Sequence, residues 1–152
     1  MNGYNGYTNN YLASQVNTAS PEQLMLMLYD GAIRFASMAI KAIEDNTPDK
    51  RSYYINKTYA ILSEFAATLD RNQDAELAEN LDALYSYMQQ RLMDANLKND
   101  SEALVEVKDM LSGLRQTWAQ AIEINRQEQA AVGMNAPSPG KAADYKPLAA
   151  AI

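Results

Sequence analysis

The side chains that most often do chemistry in proteins are missing from this chain. It has no His and no Cys. That removes the commonest general acid/base near neutral pH, the thiolate nucleophile and two leading metal ligands. An enzyme would have to be built on the 19 carboxylates, as a concave cluster of Asp and Glu with raised pKa values. The pattern offers none, since Glu64, Asp82 and Glu106 fall outside the apolar stripes or at their edges. A di-iron bundle site needs Glu-x-x-His pairs, and a bundle phosphotransfer domain needs a His to phosphorylate. G-x-G-x-x-G, G-x-x-x-x-G-K-[ST] and G-x-S-x-G are absent as well. The reading is a non-enzyme with no cofactor and no metal site.

What the chain has in surplus is apolar surface at helical spacing. In SPEQLMLMLYDGAIRFASMAI (residues 20–40), Ser20 is a good N-cap, Pro21 suits the first helical position and Gln23 completes a capping box. Gln23, Asp30, Arg34, Ser37, Lys41 and Glu44 make one narrow polar stripe. Leu24, Met25, Leu28, Tyr29, Ala32, Ile33, Phe35 and their successors cover most of the rest, an arc of roughly 200°. Packing a bundle uses one stripe. Gly31 sits mid-helix at a cost of about 1 kcal/mol against Ala, which close approach of a neighbouring helix would explain.

Three more helices follow. Thr47 and Pro48 open the second, whose apolar face is Tyr54, Ile55, Tyr59, Ile61, Leu62, Phe65, Ala66 and Leu69. RNQD (residues 71–74) is the break. The third spans about Ala75 to Lys98, with Leu77, Leu81, Leu84, Tyr85, Met88, Leu92 and Ala95 at steps of three and four. Asn99 or Asp100 caps the fourth, which runs to about Gln129 on Leu104, Val107, Leu111, Leu114, Trp118, Ala121, Ile122 and Asn125. Helices of about 25 residues, roughly 35 Å long and joined by turns of two to four residues, predict an all-α, antiparallel four-helix bundle. It occupies residues 20–130, between an N-terminal arm (1–19) carrying Tyr4, Tyr7 and Tyr11 and a disordered tail (131–152) rich in Pro and Gly. Beyond the stripes lie Tyr53, Tyr87, Met93, Leu97 and Val105, and most of the 8 Met residues are helical. Met suits surfaces that accept varied apolar partners. A patch of this kind fits an amphipathic helix or an extended peptide.

Charge and hydropathy narrow the partner. Lys and Arg number 13 against 19 Asp and Glu, a formal net charge of −6. That is the wrong balance for neutralising phosphates, so no nucleic acid is expected. No apolar run approaches the roughly 18 residues of a membrane span. The N-terminus lacks the basic and apolar regions of a secretory signal. A cytoplasmic protein without membrane insertion is expected.

Three motifs then resemble one family. YLASQVNTASPEQLMLMLYDGAI (residues 11–33), LDALYSYMQQRLMDANLKND (81–100) and LRQTWAQAI (114–122) together look like the flagellar secretion chaperone FliS, over about Tyr7 to Gln129. The resemblance implies a cytoplasmic bundle that binds newly made flagellin through its disordered C-terminal segment. That client wraps around the bundle, partly as helices. Binding keeps it from polymerising early and delivers it to the cytoplasmic domain of the export-gate protein FlhA. It also implies an arm that covers part of the client site in the client's absence, a role falling here to Tyr7 and Tyr11, with Val16. The expected neighbourhood that binds or supports the client is Tyr7, Tyr11, Leu24, Met27, Leu28, Tyr29, Ile33, Tyr85, Tyr87, Met88, Arg91, Leu92, Ala95, Asn96 and Trp118. Among these, Leu28 and Trp118 read as core. Arg91 and Asn96 either pair inside the bundle or hydrogen-bond a client backbone. The rival is a self-associating or adaptor bundle without flagellin binding, whose surplus surface forms a weak homodimer.

Overall fold

The computed structural model describes residues 18–135. They form an all-α bundle of α1 (Pro21–Glu44), α2 (Pro48–Ala67), α3 (Ala75–Lys98) and α4 (Ser101–Asn135). Sequential helices pack side by side, and α4 returns to pack on α1. The capping box forms as expected: the Gln23 N–H donates to Ser20 Oγ (3.2 Å), and the Ser20 N–H donates to Gln23 Oε1 (3.1 Å). Asp74 caps α3 through its Oδ1, which accepts from the Leu77 N–H at 2.9 Å. Two sharp turns rest on asparagines in the left-handed region, Asn46 (φ 54°) and Asn99 (φ 55°). Asn tolerates that conformation better than most residues.

Three details depart from expectation. Thr47 precedes α2 but does not cap it through its side chain. Its hydroxyl donates backwards to the Ala42 carbonyl (3.2 Å) and so closes the end of α1. The α2–α3 connection is longer than a tight turn, because α2 stops at Ala67 and residues 68–74 intervene. Leu69 therefore packs on the core from a loop. At the other end, α4 continues past Gln129 to Asn135, so residues 131–135 are helical where the tail was expected to begin. EQAAV has good helix formers, and a lone Gly133 does not stop them. Residues 136–152 lie outside the described residues, as do Tyr4, Tyr7, Tyr11 and Val16.

The core runs down the bundle axis. From α1 it takes Met25 and Tyr29 together with Ala32, Ala36, Ala39 and Ala42, four small residues that let neighbouring helices come close. Facing them are Ile55, Leu62 and Phe65 of α2, Leu81, Tyr85, Met88 and Leu92 of α3, and Leu104, Val107, Leu111 and Trp118 of α4. Thr58 is also fully buried on α2, its hydroxyl donating to the Tyr54 carbonyl at 2.9 Å. Leu77, Leu84 and Tyr59, expected on the core stripes, are exposed. Ala78 takes the inward place beside Leu77.

Gly31 is not required by close packing. A Cβ built there meets Ile61 Cδ1 at 3.8 Å, an ordinary contact, and its φ is not positive. Gly31→Ala should therefore stabilise the bundle by about 0.5–1 kcal/mol, read from urea denaturation. A loss of stability would show that the glycine serves the fold.

Candidate functional site

The wide apolar arc of α1 divides into three parts. Its centre is the core strip described above. One flank, Ile33 with Leu26 and Ile40, is half-buried against the core. Beyond it the Asp30 carboxylate accepts from Arg115 Nε–H of α4 at 2.7 Å, which places that flank on the α4 side. The other flank is Leu24, Leu28, Gly31, Phe35 and Met38, in steps of 4, 3, 4 and 3 residues. Phe35 stacks on Tyr54 of α2 (centroids 6.1 Å apart), and Gly31 looks onto Ile61. This second stripe has the spacing of a coiled-coil seam, yet Leu28 and Met38 are each 40% exposed. Gly31 adds no side chain, so the seam has a shallow floor beside Ile61. Met27 stands half-buried at its edge.

The expected site residues separate accordingly. Leu24, Met27 and Leu28 lie on or beside this seam, and Ile33 lies on the opposite flank. Leu28 is not core: its place in the seam turns it outward. Tyr29, Tyr85, Met88, Leu92, Ala95 and Trp118 are buried, so they can only support a surface. Tyr87 and Arg91 lie on the α3–α4 side. There the Tyr87 hydroxyl donates to Glu106 Oε1 and Arg91 Nε–H donates to Glu106 Oε2 (3.0 Å). The Tyr87 and Arg91 bonds hold the Glu106 carboxyl below its usual range, while the Glu106 bond pushes the Tyr87 phenol up. Asn96 faces α2, where its Oδ1 accepts from Arg51 Nε–H (3.2 Å) and from the Ser52 hydroxyl (2.9 Å). Both polar residues thus pair with neighbouring helices. The structure does not gather the expected set into one patch.

Arginine 51, Tyr54 and Ile61 were missed as surface residues. Helical phase places Tyr54 and Ile61 on the same face as the core residues of α2, at its margin. What it lacks is the neighbour across the groove. A second groove lies between α2 and α3, open and about 290 Å³ in volume, with Ile55, Tyr59, Met93 and Leu97 on its apolar walls.

The core itself holds a buried polar node. Trp118 Nε1–H donates to the Tyr29 hydroxyl (3.1 Å), which lies 3.4 Å from the Tyr85 hydroxyl. Burial pushes both phenols well above the ordinary tyrosine value. A group that holds its proton more tightly when folded contributes stability below its unfolded pKa, near 10. That contribution is lost as pH rises through the folded value, so alkaline unfolding should begin above about pH 10. Among the described residues no group of three or more ligating side chains could hold a metal ion, and no helix is long and apolar enough to cross a membrane.

Fold and surface together define a class: an antiparallel four-helix bundle that keeps a seam of apolar side chains outside its core. The chain belongs to the FliS family of flagellar secretion chaperones, and the family model described as "Flagellar protein FliS" matches residues 3–125. The flagellar secretion chaperone FliS of Bacillus subtilis is 38% identical over 129 residues, covering 85% of this chain and 92% of that one. Its counterpart in Campylobacter jejuni is 36% identical, covering 76% and 87%. That of Salmonella typhimurium is also 36% identical, covering 78% and 88%.

The polar node gives an ordering of variants. Tyr29→Phe leaves the Trp118 N–H and the Tyr85 hydroxyl buried without a partner and should cost about 1–3 kcal/mol. Tyr85→Phe keeps the Trp118–Tyr29 bond and should cost less than about 1 kcal/mol. Urea titration checks the order, and equal losses would refute the bond pattern.

Proposed function

We propose that this chain is a cytoplasmic export chaperone for flagellin. It holds the flagellin C-terminal segment, prevents premature polymerisation and hands the client to the cytoplasmic domain of the export-gate protein FlhA. The observation that carries this reading is the seam on α1. A stripe at 3–4 spacing with a glycine floor is the surface an amphipathic helix docks on. Chain-terminal segments that assemble as coiled coils in a filament present such a helix. Membership of the FliS family, and the chaperone names of its relatives, agree with it.

The holding must be reversible. A client that folds on binding loses part of its interaction energy to ordering, so release stays accessible. An arm carrying Tyr7 and Tyr11 that competes for the same surface would weaken net affinity by the fraction of time it is docked.

Calorimetry with the C-terminal segment of the matching flagellin tests the reading. Binding at or below tens of micromolar is expected, and its absence would sink the proposal. Leu28→Ser with Met38→Ser should weaken binding about tenfold or more while leaving the thermal midpoint nearly unchanged, since both side chains are already partly in water. Deleting residues 1–19 should tighten binding or leave it unchanged. If that deletion abolishes binding, the arm is a contact and not a mask.

A further inference from the structure

Three glycines lie among the described residues, Gly31, Gly113 and Gly133, each inside a helix. A helix interior disfavours glycine against alanine, because glycine gives up more backbone freedom on ordering. A positive φ or a crowding neighbour is the usual reason for keeping one. Neither applies here. None of the three has a positive φ. The closest approach by another described residue is Ile61 Cδ1, 3.8 Å from a Cβ built on Gly31.

Their surroundings separate them. Gly113 stands among polar residues, with Asp109, Gln116 and Thr117 exposed one turn to either side. Gly133 lies in the last turns of α4, where residues 126–134 are all exposed. A missing side chain at either place leaves only more water. Gly31 instead interrupts an apolar row. Met27 and Leu28 stand one turn before it, Phe35 one turn after, and Ile61 across from it on α2. Phe35 is held in place by its stack on Tyr54, and Leu28 and Met38 keep the row in contact with solvent. The absent side chain therefore leaves a notch with apolar walls on three sides. Any residue from alanine upward would begin to fill it, and the fold would be no worse for that.

We propose that Gly31 is the specificity-determining residue of the seam: its notch seats one large apolar side chain of the client helix, of the size of Leu, Ile, Met or Phe. The walls carry no polar group to satisfy a polar side chain, and a buried polar group without a partner is costly. A side chain that enters a preformed apolar hole at the centre of a contact gives more binding than one lying on a flat surface. This rests on the flagellin reading and adds which residue of the seam selects the client, and by what fit.

The test uses the full chain, calorimetry with the C-terminal segment of the matching flagellin, and thermal unfolding. Gly31→Ala should weaken binding about three- to fivefold, the scale of one buried methylene, while its thermal midpoint stays level or rises. Gly31→Leu should weaken binding about tenfold or more. Gly113→Ala is the matched control, expected to gain stability in the same way and to bind as the unaltered chain does. Replacing the client's large apolar residues by Ala one at a time identifies the side chain that enters. One replacement should cost about tenfold against the unaltered chain and little or nothing against Gly31→Leu, whose seat is already closed. Should Gly31→Leu fail to fold, Gly31→Ala set against Gly113→Ala decides alone. Unchanged affinity in the folded Gly31 variants overturns the notch and leaves the flagellin reading standing. An equal loss in Gly113→Ala also overturns it, tracing the effect to helix stiffness. Tighter binding in Gly31→Leu assigns the notch to the N-terminal arm, and a concentration-dependent dimer that Gly31→Leu dissolves, with client binding unchanged, assigns it to a second copy; either overturns the client's claim to it. No binding of the client to the unaltered chain overturns both readings.

Discussion

Tyr29 is the residue through which all four helices are held in one register. It sits on α1. Its ring stacks on Phe65 of α2 with centroids 4.4 Å apart. Its hydroxyl accepts from Trp118 of α4 and lies beside Tyr85 of α3. Phe65 in turn packs on Tyr85 at 5.6 Å. Apolar packing alone tolerates sliding, since one aliphatic contact is much like another. A buried hydroxyl does not tolerate it, because a turned helix would strand three polar groups in the core. With Tyr29 pinned inward, α1 can take only one rotation. Leu24, Leu28, Gly31, Phe35 and Met38 must then lie toward α2 and solvent, and Asp30 must lie toward Arg115. The outward seam is a consequence of the inward node.

Much of the fold was legible in residue spacing. Caps and prolines located the starts of α1, α2 and α4 within a residue or two. The breadth of the α1 arc correctly signalled more apolar surface than one interface uses. Its division was not legible, because spacing assigns an angle around a helix and not the neighbour that stands there. Leu28 illustrates this. Its angle suits a core position until α2 is placed, and then it falls outside the line of contact. The same limit explains Tyr59, Leu77 and Leu84, apolar residues at the margin of a stripe where Thr58 and Ala78 take the buried places. Small residues carry little hydropathic signal, yet they decide how near two helices come. The pairing of Asn96 with Arg51 was also invisible, since it joins residues 45 apart in sequence.

The polar contacts at the two edges of α3 do different work. On the α4 side, Arg91 and Glu106 form a half-buried clasp, neutral as a pair. On the α2 side, Arg51 donates to the amide oxygens of Asn96 and Asn99 and has no carboxylate partner among the described residues. Both tie α3 to a neighbour. Only the second leaves an electrostatic field in a groove. Structural pairing alone would be served equally well by a compensated pair, as it is at Arg71 and Arg115.

The two grooves lie on opposite flanks of α2, and this geometry constrains what can use both. Between them stands the convex outer face of α2, where Tyr53 packs edge-on against Tyr54 (5.2 Å) beneath the Lys57 ammonium (5.4 Å). A rigid partner with one flat or convex face can enter either concavity, but α2 holds it off the other. A flexible chain has no such difficulty. A helix with its side chains is about 10–12 Å across, and four extended residues span roughly 13 Å. A segment that folds as a helix in the α1–α2 seam therefore needs only a short extended stretch over Tyr53 to bring its following residues to the α2–α3 groove. Surplus apolar surface split across a convex helix is poorly shaped for a second folded bundle. It is well shaped for a polypeptide that gains its structure on the surface that holds it.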